Sequence, residues 1–509
     1  MQRAVLGIDI GTSGCKALLL SEEGTLIGTG TQSYSLSQPR PGWTEQDPAL
    51  WIQGVRGAVM ELLGQHSQTE ICAIGLTGQM HGMTPLDAAD RVLRPALLWN
   101  DQRNAEECAW LTRKAGGEDS LRAATNNRML LGYTAGKITW MQNHEPELFG
   151  RLKMVLNPKD YLRLLLTGEK ATEVSDASGT GLFDVRARRW NVALMERLGI
   201  DPGLFAPCHE SPEVTGWVSR SGAELFGLAE GIPVVGGGGD SVIQTLGSGV
   251  IKQGSLQTTI GTAGIVASAL DSAIDNPDGK LQIFCNVVPG KWHAMGVTLN
   301  AGFAMSWLQR FLRGCSQSDA CWSYEDIVAC ASLSTPGSRG LIFLPYLNGE
   351  RAPHSDPDLR AAVIGLTGLH GPSDVARAVL EGVAFALHDI YTVMQAAGID
   401  AQVVKASGGG ARSALWRQIQ ADLFGCDVVT TRGAAEGAAY GAALVAGLGV
   451  GLYGDPVEAA QLCDELTTEA PHDEDRARLQ DSFMIYQSLH ASLREPLHAL
   501  ARKFGETPN

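Results

Sequence analysis

The sequence predicts an α/β fold in which two related domains with mixed sheets face a central cleft. An apolar strand that ends in a Gly-Thr turn occurs twice, as Ile10-Gly11-Thr12-Ser13-Gly14 and as Ile260-Gly261-Thr262-Ala263-Gly264. The chain has 509 residues, more than one hydrophobic core usually supports. Strand-like and helix-like segments alternate after each turn, which favours a sheet with attached helices in each half.

The composition argues against several classes of partner. The formal net charge is −15 at pH 7, whereas proteins that bind nucleic acids or anionic membranes need basic surfaces. The ten cysteines are scattered without metal-binding spacing and no secretion signal is visible, so we expect a cytoplasmic protein. The uncharged window 438–454 is short for a bilayer span and is broken by glycines, which predicts a buried helix followed by a loop.

The first half is predicted to begin with an antiparallel meander. Segments 4–10 and 16–21 are apolar and strand-like, and alternating runs continue to Tyr34. Asp47-Pro48 then marks the start of an amphipathic helix, because proline is favoured in the first helical turn. The apolar strand 71–76 follows this helix.

The glycine-containing segment 247–254 is the expected domain boundary. It lies just ahead of the second Gly-Thr turn and predicts domains of residues 1–248 and 249–509. From about Asp455 onward the chain is polar, and we expect an outer layer of helices there.

Two helices are the clearest elements of the second half. One is predicted from Pro372 to about Ala397, with Ser373 as its N-cap. The other is predicted over residues 413–424, where apolar residues recur at helical spacing and Gly425 can end the helix.

The two Gly-Thr turns are candidate phosphate-binding loops. Glycine has no Cβ, so backbone N–H groups can converge on an anion, and the hydroxyl groups of Thr12 and Ser13 add donors. Either turn alone is more typical of an ordinary β-hairpin, but recurrence in the same context favours two loops around one polyphosphate. Lys16 would place a charge near the phosphates, although lysine at such a position is more often a solvated strand residue.

Two aspartates are candidates for chemistry at these loops. Asp9 directly precedes the first turn, and a carboxylate beside phosphate is stable only with a divalent cation such as Mg²⁺ between them. The alternative is an aspartate that orders its own turn. Asp240 follows four glycines, 236–239, and can accept the proton of a hydroxyl that attacks phosphate. Its alternative role is that of a helix N-cap.

Two further segments are typical of nucleotide and sugar binding. The turn Ser407–Ser413 offers bare glycine backbone to a flat base or ribose, and its weak, late match to a dinucleotide fingerprint disfavours NAD. Gln79-Met80-His81 and the later Trp99 combine polar groups with an aromatic face that suits a polyol. His81 alone is more often a structural histidine.

These motifs together resemble the FGGY family of carbohydrate kinases, and within it the xylulokinase group. The resemblance covers nearly the whole chain and rests on GIDIGTSGCK, WTEQDP, GQMHG, LLWNDQR, PKDYLRLLLTGE, SDASGT, GGGGD, LPYLNGERAPH, HGPSDVARAVLEGV and GGGARS. It implies two ribonuclease-H-like domains of the actin/hexokinase type, hinged over a cleft. It also implies transfer of the γ-phosphoryl group of ATP to a sugar hydroxyl with Mg²⁺, and a homodimer, since many members are dimers.

The resemblance assigns roles by position. The resemblance implies that Asp240 is the catalytic base. It also implies that the carboxylates of Asp9 and Asp240 are linked to the metal ion. Met80 and His81 resemble the sugar-contacting pair, which favours a ketopentose, D-xylulose phosphorylated at O5, over glycerol. The implied nucleotide contacts are Thr12, Ser13, Gly261, Thr262, Gly302, Ser306, Gly409, Gly410 and Ser413.

Two departures from the family pattern keep alternatives open. Ser241 stands where the family usually has Asn, at a position that touches sugar, so another ketose such as ribulose, a deoxy-ketose or a polyol remains a second hypothesis. Ala263 stands where the family usually has Ser and removes a hydroxyl from the second loop. A third hypothesis is a sugar- and nucleotide-binding protein without catalysis, against which the presence of both Asp9 and Asp240 speaks.

Overall fold

Each half of the chain forms a mixed β-sheet with helices packed around it. The computed structural model describes residues 2–315 and 322–504. The first sheet contains β1 (Gln2–Ile10), β2 (Gly14–Ser21), β3 (Leu26–Ser33), β4 (Thr69–Gly78), β5 (Val214–Trp217), β6 (Pro233–Val235) and β7 (Gly238–Gly239). The strands lie in the order β5-β6-β4-β1-β2-β3, and β7 also pairs with β4.

The second sheet repeats the strand pairing of the first. It contains β8 (Ser255–Ile260), β9 (Gly264–Leu270), β10 (Gln282–Cys285), β11 (Trp292–Thr298), β12 (Val403–Ser407), β13 (Asp427–Thr431) and β14 (Glu465–Glu469), in the order β10-β11-β9-β8-β12-β13-β14. β1 pairs antiparallel with β2 and parallel with β4, and β8 pairs in the same way with β9 and β12. The predicted pair of related α/β domains is confirmed.

Helices and short strand pairs surround the two sheets. The helices of the first half are α1 (Pro48–Gln65), α2 (Ala105–Lys114), α3 (Glu118–Thr125), α4 (Thr134–His144), α5 (Pro146–Phe149), α6 (Pro158–Thr167), α7 (Val174–Ser178), α8 (Val192–Leu198), α9 (Arg220–Phe226) and α10 (Asp240–Gly247). Those of the second half are α11 (Gly302–Cys315), α12 (Tyr324–Ala331), α13 (Pro372–Ala396), α14 (Ala414–Phe424), α15 (Arg432–Glu436), α16 (Ala438–Gly449), α17 (Pro456–Gln461) and α18 (Asp473–Phe504).

The short strands pair Glu45–Gln46 with Ala96–Leu97, Thr84–Leu86 with Met154–Leu156, Thr172–Glu173 with Cys208–His209, Phe183–Asp184 with Arg189–Trp190, and Ile342–Leu344 with Ala362–Ile364. Among the helices described, none combines the length and apolar character that crossing a bilayer requires.

Helix α16 of the second half packs against the sheet of the first half. A Cβ on Gly7 of β1 would lie 2.0 Å from Ala439 O, and one on Gly75 of β4 would lie 1.9 Å from Ala442 O. Only glycine permits this approach of strand and helix backbones. The two halves therefore share one buried apolar cluster at this contact.

Most predicted elements are present, with two corrections. Helix α1 begins at Pro48 as predicted, and Asp47 caps it by accepting from Ala49 N at 2.9 Å. Helix α14 begins one residue after its predicted start, with Ser413 as its N-cap. Helix α13 begins at its predicted residue, but its N-cap is Gly371 and not Ser373. The polar C-terminal region is not wholly helical, because β14 adds an antiparallel edge strand beside β13.

Candidate active site

The first Gly-Thr turn connects β1 to β2 and presents free backbone donors. Gly11 N donates to Gly14 O at 3.0 Å, and the Tyr34 hydroxyl donates to Gly11 O at 2.7 Å. Within the described ranges no acceptor binds the backbone N–H groups of Thr12 and Ser13. Two adjacent unpaired donors at a strand end suit an anion such as phosphate.

Asp9 lies directly before this turn, in an environment that disfavours a lone negative charge. Its Oδ1 atom is buried and lacks a hydrogen-bond partner among the residues described. Burial, and then the negative charge of Asp240, raise the pKa of Asp9 to about 7, while Lys16 lowers it. Two neighbouring carboxyl groups, one of them unpartnered, fit the oxygen ligands that a divalent cation prefers.

The four-glycine run brings Asp240 to the same place. Gly237 has a φ of +72°, and a Cβ there would lie 1.9 Å from Leu76 O of β4. A Cβ on Gly239 would lie 2.5 Å from the Met80 side chain. The run therefore passes between β4 and Met80 only because its residues are glycines, and it delivers Asp240 as the first residue of α10.

Asp240 is not the N-cap of α10, because Gly239 occupies that position. Its Oδ1 atom accepts from Ser241 N at 2.7 Å. Burial raises the pKa of Asp240 to about 6, although the hydrogen bonds from Ser241 lower it. A carboxyl group with this pKa is ionised at neutral pH and remains basic enough to accept a proton.

The predicted sugar residues adjoin the first turn. Thr12 Oγ1 donates to Gln79 Oε1 at 3.2 Å and accepts from Trp99 Nε1 at 3.0 Å. Gln79 Nε2 donates in turn to Gln46 Oε1 at 3.2 Å. The candidate sugar site and the candidate phosphate turn are therefore connected through a single threonine side chain.

His81 is buried and neutral. It adopts a positive φ of 65°, and its Nδ1 lies 2.8 Å from Gly179 O. A carbonyl oxygen only accepts, so the proton lies on Nδ1 and Nε2 is left as an acceptor. Burial, and then the charge of Lys137, lower the pKa of His81 to about 3. The ring can thus accept a hydrogen bond from a sugar hydroxyl across the neutral pH range.

The second Gly-Thr turn packs tightly against the start of α11. Gly302 N donates to Gly261 O at 2.8 Å, and Phe303 N donates to Thr262 O at 3.1 Å. A Cβ on Gly302 would lie 2.4 Å from Gly261 O. Ser306, one turn further along α11, donates to Gly302 O at 3.1 Å. These contacts position the turn from the helix side.

The predicted adenosine residues follow β12, next to this second turn. A Cβ on Gly410 would lie 2.5 Å from the Ile260 side chain, at the end of β8. Gly409 begins the short 3-10 helix that includes Gly410. Ser413 Oγ accepts from Trp416 N at 3.2 Å, so its hydroxyl proton remains available for a ligand.

Comparison with known proteins decides the family. Residues 4–247 match the N-terminal domain and residues 256–450 the C-terminal domain of the FGGY family of carbohydrate kinases. The chain is 41% identical to the xylulose kinase of Escherichia coli strain K12 over 420 residues, which cover 82% of this chain and 84% of that protein. The chain belongs to the FGGY family of carbohydrate kinases.

Solved structures agree with this membership. A crystal structure described as a xyloylose kinase from Brucella ovis has a TM-score of 0.90 and 35% identity, covering 97% of this chain and 99% of that one. A gluconate kinase from Lactobacillus acidophilus has a TM-score of 0.89 and 25% identity, covering 97% and 98%. The fold is therefore that of the sugar kinases, and the protein is a carbohydrate kinase.

In this kinase Lys16 has a partner in the other half of the chain. Its Nζ lies 2.5 Å from Glu436 Oε2 and 3.1 Å from Glu436 O. The pair joins β2 to the end of α15. Lys16, predicted to contact the nucleotide, is thus engaged by Glu436, and its charge still lies close enough to lower the pKa of Asp9.

Buried groups that no sequence motif singled out support the glycine run. The Arg163 guanidinium donates to Val235 O at 2.7 Å and to Gly236 O at 2.6 Å. Gly239 N donates to Ser175 Oγ at 3.0 Å. These bonds fix the backbone on both sides of the run that presents Asp240.

Behind them lies a fully buried ion network. Lys159 Nζ lies 2.6 Å from Asp160 Oδ1 and 3.0 Å from Asp176 Oδ2, and all three side chains are buried. Burial raises the pKa of Asp176. Charged residues inside the otherwise apolar helix α6 are the sequence signal for this network, since unpaired charges are rarely buried.

Proposed function

We propose that this carbohydrate kinase transfers the γ-phosphoryl group of ATP to O5 of D-xylulose, with Asp240 as the general base. The supporting observation is the position of Asp240. Its half-buried carboxyl group lies beside the Met80 backbone on the sugar side, and its charge acts on Asp9 behind the first phosphate turn. A sugar hydroxyl held between them would have a base on one side and the phosphate on the other.

Asp240 would remove the proton of the attacking hydroxyl as the new O–P bond forms. The Ser241 amide holds one carboxyl oxygen, which orients the group, and burial keeps its pKa near 6. Such a base contributes roughly 10² to 10⁴ in rate. The two Gly-Thr turns would bind phosphate oxygens through backbone N–H groups, which align the phosphoryl group with the hydroxyl.

Asp9 and Asp240 would hold Mg²⁺, directly or through water. The metal ion, when bound with ATP, neutralises charge on the phosphates. The unpartnered Asp9 Oδ1 is the observation that supports this assignment. With the cation present the pKa of Asp9 would fall, because a positive neighbour favours the ionised carboxylate.

A ketopentose is favoured by Met80 and neutral His81, which present an apolar surface and an acceptor to the sugar. Relatives named xylulose kinase support the same sugar. Ser241 supports the second candidate, another ketose or a polyol, because its short side chain leaves space next to the base.

The test is ADP release with Mg-ATP and a panel of ketopentoses, deoxy-ketoses, polyols and gluconate. We expect D-xylulose to give the highest kcat/KM. Asp240→Ala should lose about 10³-fold or more in kcat while retaining ATP binding, measured by calorimetry. Asp481→Ala, an exposed aspartate on α18, is the control and should match wild type. Robust turnover by Asp240→Ala would remove the assigned base, and a better substrate in the panel would change the sugar.

A further inference from the structure

The second half contributes a guanidinium group that the proposed chemistry does not use. Arg351 lies in the segment LPYLNGERAPH and is half-buried. Over residues 2–315 and 322–504, its guanidinium has neither a hydrogen-bond acceptor nor an ion-pair partner. Because the side chain is only half-buried, its guanidinium donors remain available to a ligand.

The backbone around Arg351 is fixed on both sides. Glu350 Oε2 accepts from Thr298 Oγ1 at 2.6 Å, and Glu350 Oε1 accepts from Leu299 N at 2.9 Å. Ala352 N donates to Val297 O at 3.0 Å. The Glu350 carboxylate is thus hydrogen-bonded to the end of β11. The Arg351 backbone is held against the same strand, which precedes α11.

Arg351 lies beside a wall of the candidate sugar site. Ala352, the next residue, donates to Val297 O, and Val297 belongs to the buried apolar cluster that also contains Met80, Tyr133 and Phe284. Its charge contributes to the lowered pKa of His81, after burial and Lys137, and it also acts on Tyr133. The Tyr133 ring lies 4.9 Å from the His81 ring, and the Phe284 ring of the second half lies 6.0 Å from His81. Residues of both halves therefore meet around His81.

Tyr133 provides a second incomplete polar group on this wall. Its side chain is buried, with the residue 1% exposed, and its hydroxyl has no hydrogen-bond partner among described residues. A buried hydroxyl without a partner costs stability, and a ligand that bonds to it removes that cost. A guanidinium with free donors and a buried hydroxyl without a partner therefore lie near the same ring, and a single ligand beside His81 would engage both.

We propose that Arg351 and Tyr133 bind the hydroxyketone end of the sugar, remote from the hydroxyl that receives phosphate. This inference rests on the proposed kinase function and specifies its substrate class as a 2-ketose. The guanidinium only donates hydrogen bonds, which matches a ketone oxygen that only accepts, and the Tyr133 hydroxyl can accept from the neighbouring hydroxyl of the sugar.

The order of residues along the wall supports this orientation. Met80 contacts the residue before Asp240, His81 follows Met80, and the Tyr133 ring packs against the His81 ring. A sugar with its reacting hydroxyl at Asp240 would extend along this path toward Tyr133 and Arg351. Because Arg351 belongs to the second half, the bound ketose would join the two halves directly.

The test compares a ketose with a polyol of the same carbon chain. Arg351→Gln should raise KM for D-xylulose about 10- to 100-fold, the effect of losing charge-assisted hydrogen bonds, with KM for ATP unchanged. The inhibition constant of xylitol, which has a hydroxyl in place of the ketone, should change less than about threefold. Tyr133→Phe should likewise raise KM for D-xylulose more than it changes the inhibition constant of xylitol, and the rise in KM should be smaller than for Arg351→Gln.

Arg360→Gln is the matched control, because that guanidinium, nine residues further along the chain, already donates to Pro357 O and Leu359 O. It should match wild type in both measurements. Melting temperatures without sugar show whether Arg351→Gln is misfolded. If it is, the result for Tyr133→Phe alone decides between the outcomes. Equal losses for D-xylulose and xylitol, or no loss for either, would overturn the inference.

The same panel separates this inference from the proposed substrate. Suppose that wild type prefers another ketose and that Arg351→Gln weakens binding of that ketose more than binding of its polyol. In that case the hydroxyketone assignment stands, and that ketose replaces D-xylulose as the proposed substrate. If wild type prefers gluconate or a polyol, the hydroxyketone assignment fails, although Asp240 can still be the base.

Discussion

The two Gly-Thr turns begin from nearly the same sequence but differ in the charge behind them. Asp9 precedes Ile10 in the first half, and Thr259 precedes Ile260 in the second. Thr259 Oγ1 is hydrogen-bonded to Ser407 Oγ at 2.6 Å, whereas Asp9 Oδ1 has no partner in the described structure. The same backbone motif is therefore preceded by a carboxyl group without a partner in the first half and by a hydrogen-bonded hydroxyl group in the second.

The turns also differ in shape and surroundings. Ile10 pairs with Cys15 across the first hairpin, but Ile260 pairs with Gly264, so the second turn is one residue tighter. The first turn contacts the side chains of the candidate sugar site, and the second contacts the backbone of α11 at Gly302. We infer that metal and proton chemistry belong to the first turn and nucleotide positioning to the second.

The largest predicted effect tests the charge difference directly. Asp9→Asn should reduce kcat by on the order of 100-fold, because a carboxylate that would hold the metal near the phosphates is lost. Thr259→Val at the matched position should cost less than about threefold in kcat. Steady-state ADP release at saturating Mg-ATP measures both, and equal losses would contradict the assignment of the metal to the first half.

A smaller effect is expected from crowding each turn with a methyl group. Gly302→Ala should raise KM for ATP about 10-fold, since its Cβ would lie 2.4 Å from Gly261 O and displace the second turn. Gly11→Ala is milder, because its Cβ would lie 3.1 Å from Gly14 O. Neither should alter sugar binding measured without ATP. A larger KM change in Gly11→Ala would reverse the assigned roles.

The smallest effect is a pH-dependent shift in melting temperature. The pKa of Asp9 is raised to about 7 in the folded protein, against about 3.9 for an unfolded aspartate. The folded state therefore binds the proton more tightly, and its stability falls as pH rises from about 4 to 7. Asn cannot ionise.

Without metal or ATP, Asp9→Asn should therefore melt above wild type at pH 8, by roughly 2–4 °C for each kcal/mol, and match it near pH 4. Thr259→Val should show a difference from wild type that does not depend on pH. Calorimetric scans at both pH values measure this, and a constant offset for Asp9→Asn would contradict the raised pKa.

Local patterns sufficed to predict the paired sheets and the turns. Apolar runs that end in Gly-Thr turns mark β1 and β8, the Asp47-Pro48 pair marks α1, and apolar residues at helical spacing mark α14. These signals lie within a few residues of one another. Asp9 and Asp240 were found because each follows a strand at a glycine-rich turn. Their roles remain predictions, but the structure places their charges close together.

Contacts between distant residues were not predictable in this way. Arg163 of α6 supports the glycine run, and Glu436 pairs with Lys16. Arg351 of the second half lies near enough to His81 of the first half for its charge to lower the pKa of that histidine. Each depends on how separate elements pack, which a single sequence does not encode locally. The edge strand β14 was missed because its residues are polar and exposed, as edge strands often are.

The packing of α16 against Gly7 and Gly75 has a consequence for biosynthesis. Residues 438–449 cover a sheet that begins at residue 2, so the first half emerges from the ribosome with one face of its sheet uncovered until most of the polypeptide has been translated. An N-terminal fragment ending near residue 248 would keep that bare strand surface. We therefore expect nascent chains of this kinase to expose an apolar strand surface, which promotes aggregation until α16 has been synthesised.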